Sequence, residues 1–102
     1  MDSYARALLY RADFLATCPN ASYRNGQQAV NDARIACKLT NWSDGDSIAA
    51  LAAAFAEVGD FDSAVLYAQQ SLTVRGVSSE RANLFQRRLA LFEQHKRVPF
   101  SQ

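Results

Sequence analysis

The stretch IAALAAAFAEVGDFDSAVLYAQQSL, residues 48 to 72, decides how the chain folds. In its first half Ile48, Leu51, Ala52 and Phe55 recur at i, i+3, i+4 and i+7, the spacing that gathers side chains on one face of an α-helix. Gly59 stops that period, and Asp60 offers a carboxylate to cap a second helix in which Phe61, Ala64, Val65, Ala68 and Leu72 form a stripe. Two helices joined by so short a turn must run antiparallel, because a short loop cannot carry the chain back along a helix. The unit written here is a helical hairpin.

The same reading extends in both directions. Downstream, Gly76 breaks the pattern and Ser78 opens a helix carrying Ala82, Phe85, Leu89 and Phe92. Upstream, Ser43 with Asp46 is expected to cap the helix of Ile48. Asn25, followed three positions later by Gln28, resembles a capping box for a helix whose face is Ala29, Val30, Ala33, Ala36, Cys37 and Thr40. A first helix from Asp2 to Thr17 holds Leu8, Ala12 and Leu15 in step and ends before Pro19, which disfavours helical geometry at Cys18. No segment alternates strictly between apolar and polar residues, so the expected class is all-α with five helices.

The 102 residues make one domain. Its expected parts are a first hairpin (1–40), a second hairpin (43–75), a capping helix (78–97) and a tail (98–102). Half the composition is hydrophobic, 18 residues are Ala, and only four Gly and two Pro interrupt them, which excludes disorder and collagen-like repetition. The formal charge of +1 supplies no field for drawing in nucleic acid or an anionic membrane. No apolar run approaches the ~20 residues that span a bilayer, and Met1-Asp2-Ser3-Tyr4-Ala5-Arg6 lacks the order of a secretion signal, so a soluble, cytoplasmic protein is expected.

Laying Ala64-Val65 over Ala29-Val30 gives an offset of 35 residues, close to the ~34 at which tetratricopeptide arrays repeat. The segment 48–72, above all Leu51-Ala52, Phe55, Gly59-Asp60-Phe61-Asp62, Ala64 and Leu72, is similar to a single tetratricopeptide repeat. Leu15 to Pro19 (Leu-Ala-Thr-Cys-Pro) and Asn25 to Ala29 resemble a variant first repeat of some bacterial proteins, and Glu80 to Glu93 resembles the helix that closes such modules. The resemblance covers about residues 5 to 95 and implies a short α-solenoid of two hairpins plus a capping helix. Its structural positions would be Ala29, Leu51, Ala52, Phe55, Gly59, Ala64 and Leu72, with Ala52 and Ala64 at a close helix crossing and Leu51 and Phe55 filling the space beside them. Arg11 departs from the pattern, standing where Leu is usual, and Ala33 and Ala68 stand where larger residues are common.

The resemblance also implies a concave groove for peptides, lined by the first helix of each hairpin. Carried over residue by residue, its lining would be Arg6, Leu9 and Asp13; Asp46, Ala49, Ala53 and Glu57; and Glu80, Asn83 and Arg87. The Lys and Asn clamp by which some members hold a chaperone's C-terminal carboxylate is absent, since Ala50 and Leu84 occupy two of its positions. The bland alternative is a face that is merely solvated or covered by neighbouring repeats.

Residues that could carry chemistry are few. Cys18 lies beside the first turn and Cys37 about 12 residues into helix 2, ~18 Å along its axis, so a disulfide is not expected. Buried apolar filler and a reactive thiol are the two readings of these cysteines. His95, the single histidine, stands with Lys96 and Arg97 where the negative end of a helix dipole favours cations, and catalysis by it is the rival reading. No phosphate loop, zinc pattern or metalloprotease motif occurs, so neither an enzyme nor a cofactor or metal is expected. Asn20-Ala21-Ser22 and Asn41-Trp42-Ser43 match glycosylation acceptors and are read as cap and turn residues.

Charge is unevenly placed. Residues 1–40 hold five basic and three acidic side chains, residues 41–74 hold no basic and five acidic ones, and residues 75–102 hold six and two. Asp44, Asp46, Asp60 and Asp62 read as N-terminal helix charges and Arg75, Lys96 and Arg97 as C-terminal ones; a bipolar surface that selects a partner or a second copy is the rival. The tail Val98-Pro99-Phe100 is expected to fold back over the end of helices 4 and 5, the alternative being a docking segment for another molecule. Two functions are therefore expected: a non-catalytic module binding a peptide or protein segment on its concave face, or a self-assembly unit forming a homodimer through an exposed solenoid end.

Overall fold

Four of the helices start where a short polar side chain takes up a backbone N–H group that has no partner inside the helix. A computed structural model of the chain describes residues 3–17 and 25–98. Its helices are α1 (Ser3–Thr17), α2 (Gly26–Leu39), α3 (Gly45–Glu57), α4 (Phe61–Ser71) and α5 (Ser79–Glu93). No strand occurs among the described residues, and the class is all-α.

Asn25 Oδ1 accepts from the Gln28 N–H at 3.1 Å, Asp60 from the Ser63 N–H at 3.1 Å, and Ser78 Oγ from the Arg81 N–H at 3.2 Å. The cap of α3 differs from expectation. Asp44, not Ser43, holds it, accepting from both the N–H (3.1 Å) and the hydroxyl (2.6 Å) of Ser47. An ionised carboxylate is the stronger acceptor at the positive end of a helix. The Ser43 hydroxyl donates to the Thr40 carbonyl instead. Gln28 likewise does not close the capping box, because its amide donates to Asp32 at 2.9 Å.

Three helices stop in the same way. The N–H of Trp42, Asp60 and Lys96 reaches back to the carbonyl of Cys37, Phe55 and Leu91 respectively, at 2.8, 2.9 and 2.8 Å. This is the Schellman closure, and it needs a left-handed residue just before the donor. Those residues are Asn41 (φ 53°), Gly59 (φ 85°) and His95 (φ 58°). His95 is held there by stacking on Phe61, ring centroids 5.2 Å apart, which ties the end of α5 to the start of α4.

The core has two parts that share α3. Leu8, Leu9, Ala12 and Ala16 of α1 meet Ala29, Val30, Ala33, Ala36 and Cys37 of α2 and Ile48, Ala50, Leu51 and Ala54 of α3. On the other side Ala52, Ala53 and Ala56 of α3 meet Ala64 and Ala68 of α4, Phe92 of α5 and Val98. A helix apolar all round is buried all round, and every α3 residue from Ile48 to Ala54 is buried. Alanine makes this feasible, because side chains without bulk let four neighbouring helices approach one axis. The tail returns as expected at Val98, but to the second core beside α3, with Arg97 Nε 4.0 Å from a Glu57 carboxylate oxygen. Pro99 and Phe100 lie outside the described residues, as do Pro19 and the Asn20-Ala21-Ser22 triplet.

Two features tie neighbouring helices laterally. Arg11 reaches across from α1 to α2, where its Nε and Nη2 donate to Asp32 Oδ2 and Oδ1 at 2.5 and 2.8 Å. Asp32 is only 1% exposed. A buried carboxylate needs such a partner, and Arg11 is where it finds one. Further on, Tyr67 of α4 stacks between Trp42 (5.9 Å) and Phe55 (5.6 Å), and the Arg34 guanidinium lies 5.8 Å from the Phe55 ring centre. This ladder joins α2, its following turn, α3 and α4.

Candidate functional site

The odd-numbered helices α1, α3 and α5 frame a recess of about 160 Å³. Leu9 and Tyr10 come from α1, Asp46, Ala49 and Ala50 from α3, and Arg81, Leu84, Phe85 and Arg88 from α5. The floor is shallow because Ala49 and Ala50 fill the middle helix, and the apolar walls are Leu9, Leu84 and Phe85. Its rim is charged. Arg81 Nε and Nη2 both donate to Asp46 Oδ1, at 2.9 and 2.5 Å, and the same guanidinium sits 5.6 Å from the centre of the Phe85 ring. This pair crosses from α5 to α3 and fixes the width of the opening. Arg88, half-buried, also lines the recess. Tyr10 stands 64% exposed at the edge.

Of the residues carried over from the resemblance, Leu9, Asp46 and Ala49 are brought together here. Arg6 is exposed on α1 and is not among the residues lining the recess, and the side chain of Asp13 lies outside the described part of the structure. Ala53 is 2% exposed and belongs to the second core, covered on the side where a groove floor is expected by the cluster that includes Phe92 and Val98. Glu57 is at the far end of α3, beside Arg97 and against Gly26, where a Cβ would come within 3.1 Å of Glu57 Cγ. Glu80, Asn83 and Arg87 line a different, open depression with Gln86 and Ala90. Each α5 position of the recess lies one residue later, at Arg81, Leu84 and Arg88. The anchor explains the shift: Phe85 and Phe92, two turns apart and both buried, set which side of α5 turns inward. That signal is in the sequence, in the seven-residue spacing of two large aromatics, and alignment to the preceding hairpin overrides it.

The remaining chemistry is structural. Cys37 is fully buried, and burial pushes its thiol up to about 12, which keeps it un-ionised and poorly nucleophilic. Cys18 lies outside the described residues. The Asp32 carboxyl is held below the usual range, first by the hydrogen bond from Arg11 and against the opposing effect of burial. Among the described residues no group of three His, Cys, Asp or Glu side chains is placed to hold a metal ion, and no helix is long and apolar enough to cross a membrane.

In comparisons with known proteins the chain matches no family model, no curated protein and no solved structure.

Proposed function

We propose that the chain is a small tetratricopeptide-type α-solenoid of cytoplasmic setting. It works without catalysis by receiving a segment of another protein between α1, α3 and α5. The observation that carries this reading is the recess itself, which is apolar at its floor and carries the Arg81–Asp46 pair at its rim. A stepped arrangement is supported by the packing. The middle helix α3 contacts all four others, whereas α1 makes no extensive contact with α4 or α5. In a closed bundle the first and last helices would pack together.

The chemistry of the recess selects a class of ligand. A cavity of this size admits one medium apolar side chain. The half-exposed Arg81 guanidinium at the rim suits an adjacent carboxylate on the ligand, and Tyr10 offers a rigid aromatic contact at the edge. The partner segment is therefore an acidic stretch carrying an isolated apolar residue. Selection from a displayed random peptide library tests this. The enriched sequences should place Asp or Glu beside Leu, Ile, Met or Phe. Tyr10→Ala and Leu84→Glu should each weaken binding at least about tenfold, ~1.4 kcal/mol, with melting nearly unchanged. Enrichment of no common pattern, or equal affinity in both variants, would overturn the reading.

A second reading is self-assembly through the end of the array formed by α1. It is favoured by one observation, the exposure of Tyr4 and Phe14 on that helix.

A further inference from the structure

The outer side of the first hairpin carries an apolar face that neither the recess nor the core uses. On α1, Tyr4, Arg11 and Phe14 follow at intervals of seven and three, which places them along one stripe. On α2, Gln28, Asp32, Ile35 and Leu39 follow at four, three and four. The bidentate bond between Arg11 and Asp32 joins the two stripes edge to edge, so they form one surface. Tyr4 is 62% exposed, Phe14 51%, Ile35 40% and Leu39 44%.

We propose that this α1/α2 face is a two-fold interface that pairs with the same face of a second copy of the chain. The inference rests on the self-assembly reading and gives it a surface and a symmetry. Two properties select a second copy as the occupant. The first is charge. Arg11 is the charged group at the centre of the face, and Asp32, buried beneath it, neutralises it, with the Gln28 amide donating to the same carboxylate. A like face can therefore approach this centre without meeting an uncompensated charge, Lys38 standing exposed at the margin, three residues from Ile35.

The second is area. Side chains of this size offer on the order of 200 Å² each when fully exposed, so the four together present roughly 400 Å² of apolar surface. Homodimer interfaces are about two-thirds apolar, and the smallest stable ones bury about 600 Å² on each partner. The patch supplies the apolar share of such an interface, and Arg11 and Gln28 lie within it as its polar part. An interface at the lower end of the size range makes a reversible dimer. Pairing face to like face closes after two copies. Leu9, five residues from Tyr4, lies on another side of α1, whereas Tyr10, four residues before Phe14, borders the face.

Sedimentation velocity from about 1 µM to about 1 mM tests the proposal, a range that brackets the affinity of small interfaces. The expected result is a mass that rises to twice that of the chain and stops there. Tyr4→Asp and Ile35→Asp replace exposed side chains, so both should keep the wild-type melting temperature while shifting half-dimerisation at least about tenfold upward. A monomer at every concentration would overturn this proposal together with the self-assembly reading. A dimer that both variants leave intact would overturn the face and spare that reading. A mass that grows beyond two copies would overturn the closed, two-fold pairing.

Discussion

Asp32 concentrates more of the lateral binding of the first hairpin than any neighbouring residue, and its protonation is the clearest lever on it. Arg11 bonds both of its oxygens and Gln28 a third lone pair, and these hydrogen bonds hold its carboxyl below the ordinary value despite burial. A depressed folded-state value means that the unfolded chain binds the proton more readily. The pair's contribution is therefore complete above the unfolded carboxylate value, ~3.9, and is lost as pH falls through the lower folded one. Melting temperature against pH should decline below about pH 4 in the native chain. Asp32→Asn should be less stable at pH 7 by ~1.5–3 kcal/mol, the worth of hydrogen bonds to a charged group, and should show a shallower acid decline. Equal acid slopes in the two proteins would remove this role.

At the scale of the element, the helices are set by their ends and by the smallness of what lies between them. Gly59 isolates one contribution cleanly. Its φ of 85° is left-handed, and a Cβ built there meets nothing within 4 Å. Gly59→Ala should therefore cost only the backbone strain, ~1–2 kcal/mol, as measured by denaturant midpoint at constant m. Ala64 and Leu51 are fully buried. Ala64→Leu should overpack the α3–α4 crossing by ~1–3 kcal/mol, and Leu51→Ala should open a cavity costing ~2–5 kcal/mol. Unchanged melting in either would contradict the packing described. Much of this level is legible in the sequence, because period, cap and breaker are local properties. Asn25, Asp60 and Ser78 announce their caps directly. Ser43 does not, since the choice between it and Asp44 depends on which group reaches the Ser47 N–H in three dimensions. The Arg11–Asp32 pair is equally hidden, as its members are 21 residues apart and each reads alone as a surface charge.

For the whole molecule, the distinction that matters is between the part of the inner face that stays open and the part the chain covers itself. Leu9, Asp46 and Ala49, expected on one face, share one recess in the structure. Ala53 lies in the second core, and Glu80, Asn83 and Arg87 line a separate depression. The path of Val98 and the rotation of α5 about the buried Phe85 and Phe92 are tertiary, and the alignment carries neither. The consequence is measurable. Ala53→Arg should not act as a silent block of the groove. It forces a charge into the second core and should cost on the order of 3 kcal/mol or more, seen as a fall in melting temperature. The direct test of the account is an amide chemical-shift titration with an acidic peptide bearing one apolar residue. The shifts should centre on Leu9, Tyr10, Ala49, Leu84 and Phe85 and vanish in Leu84→Glu. Shifts centred on Gln86 and Ala90, or on no contiguous surface, would contradict it.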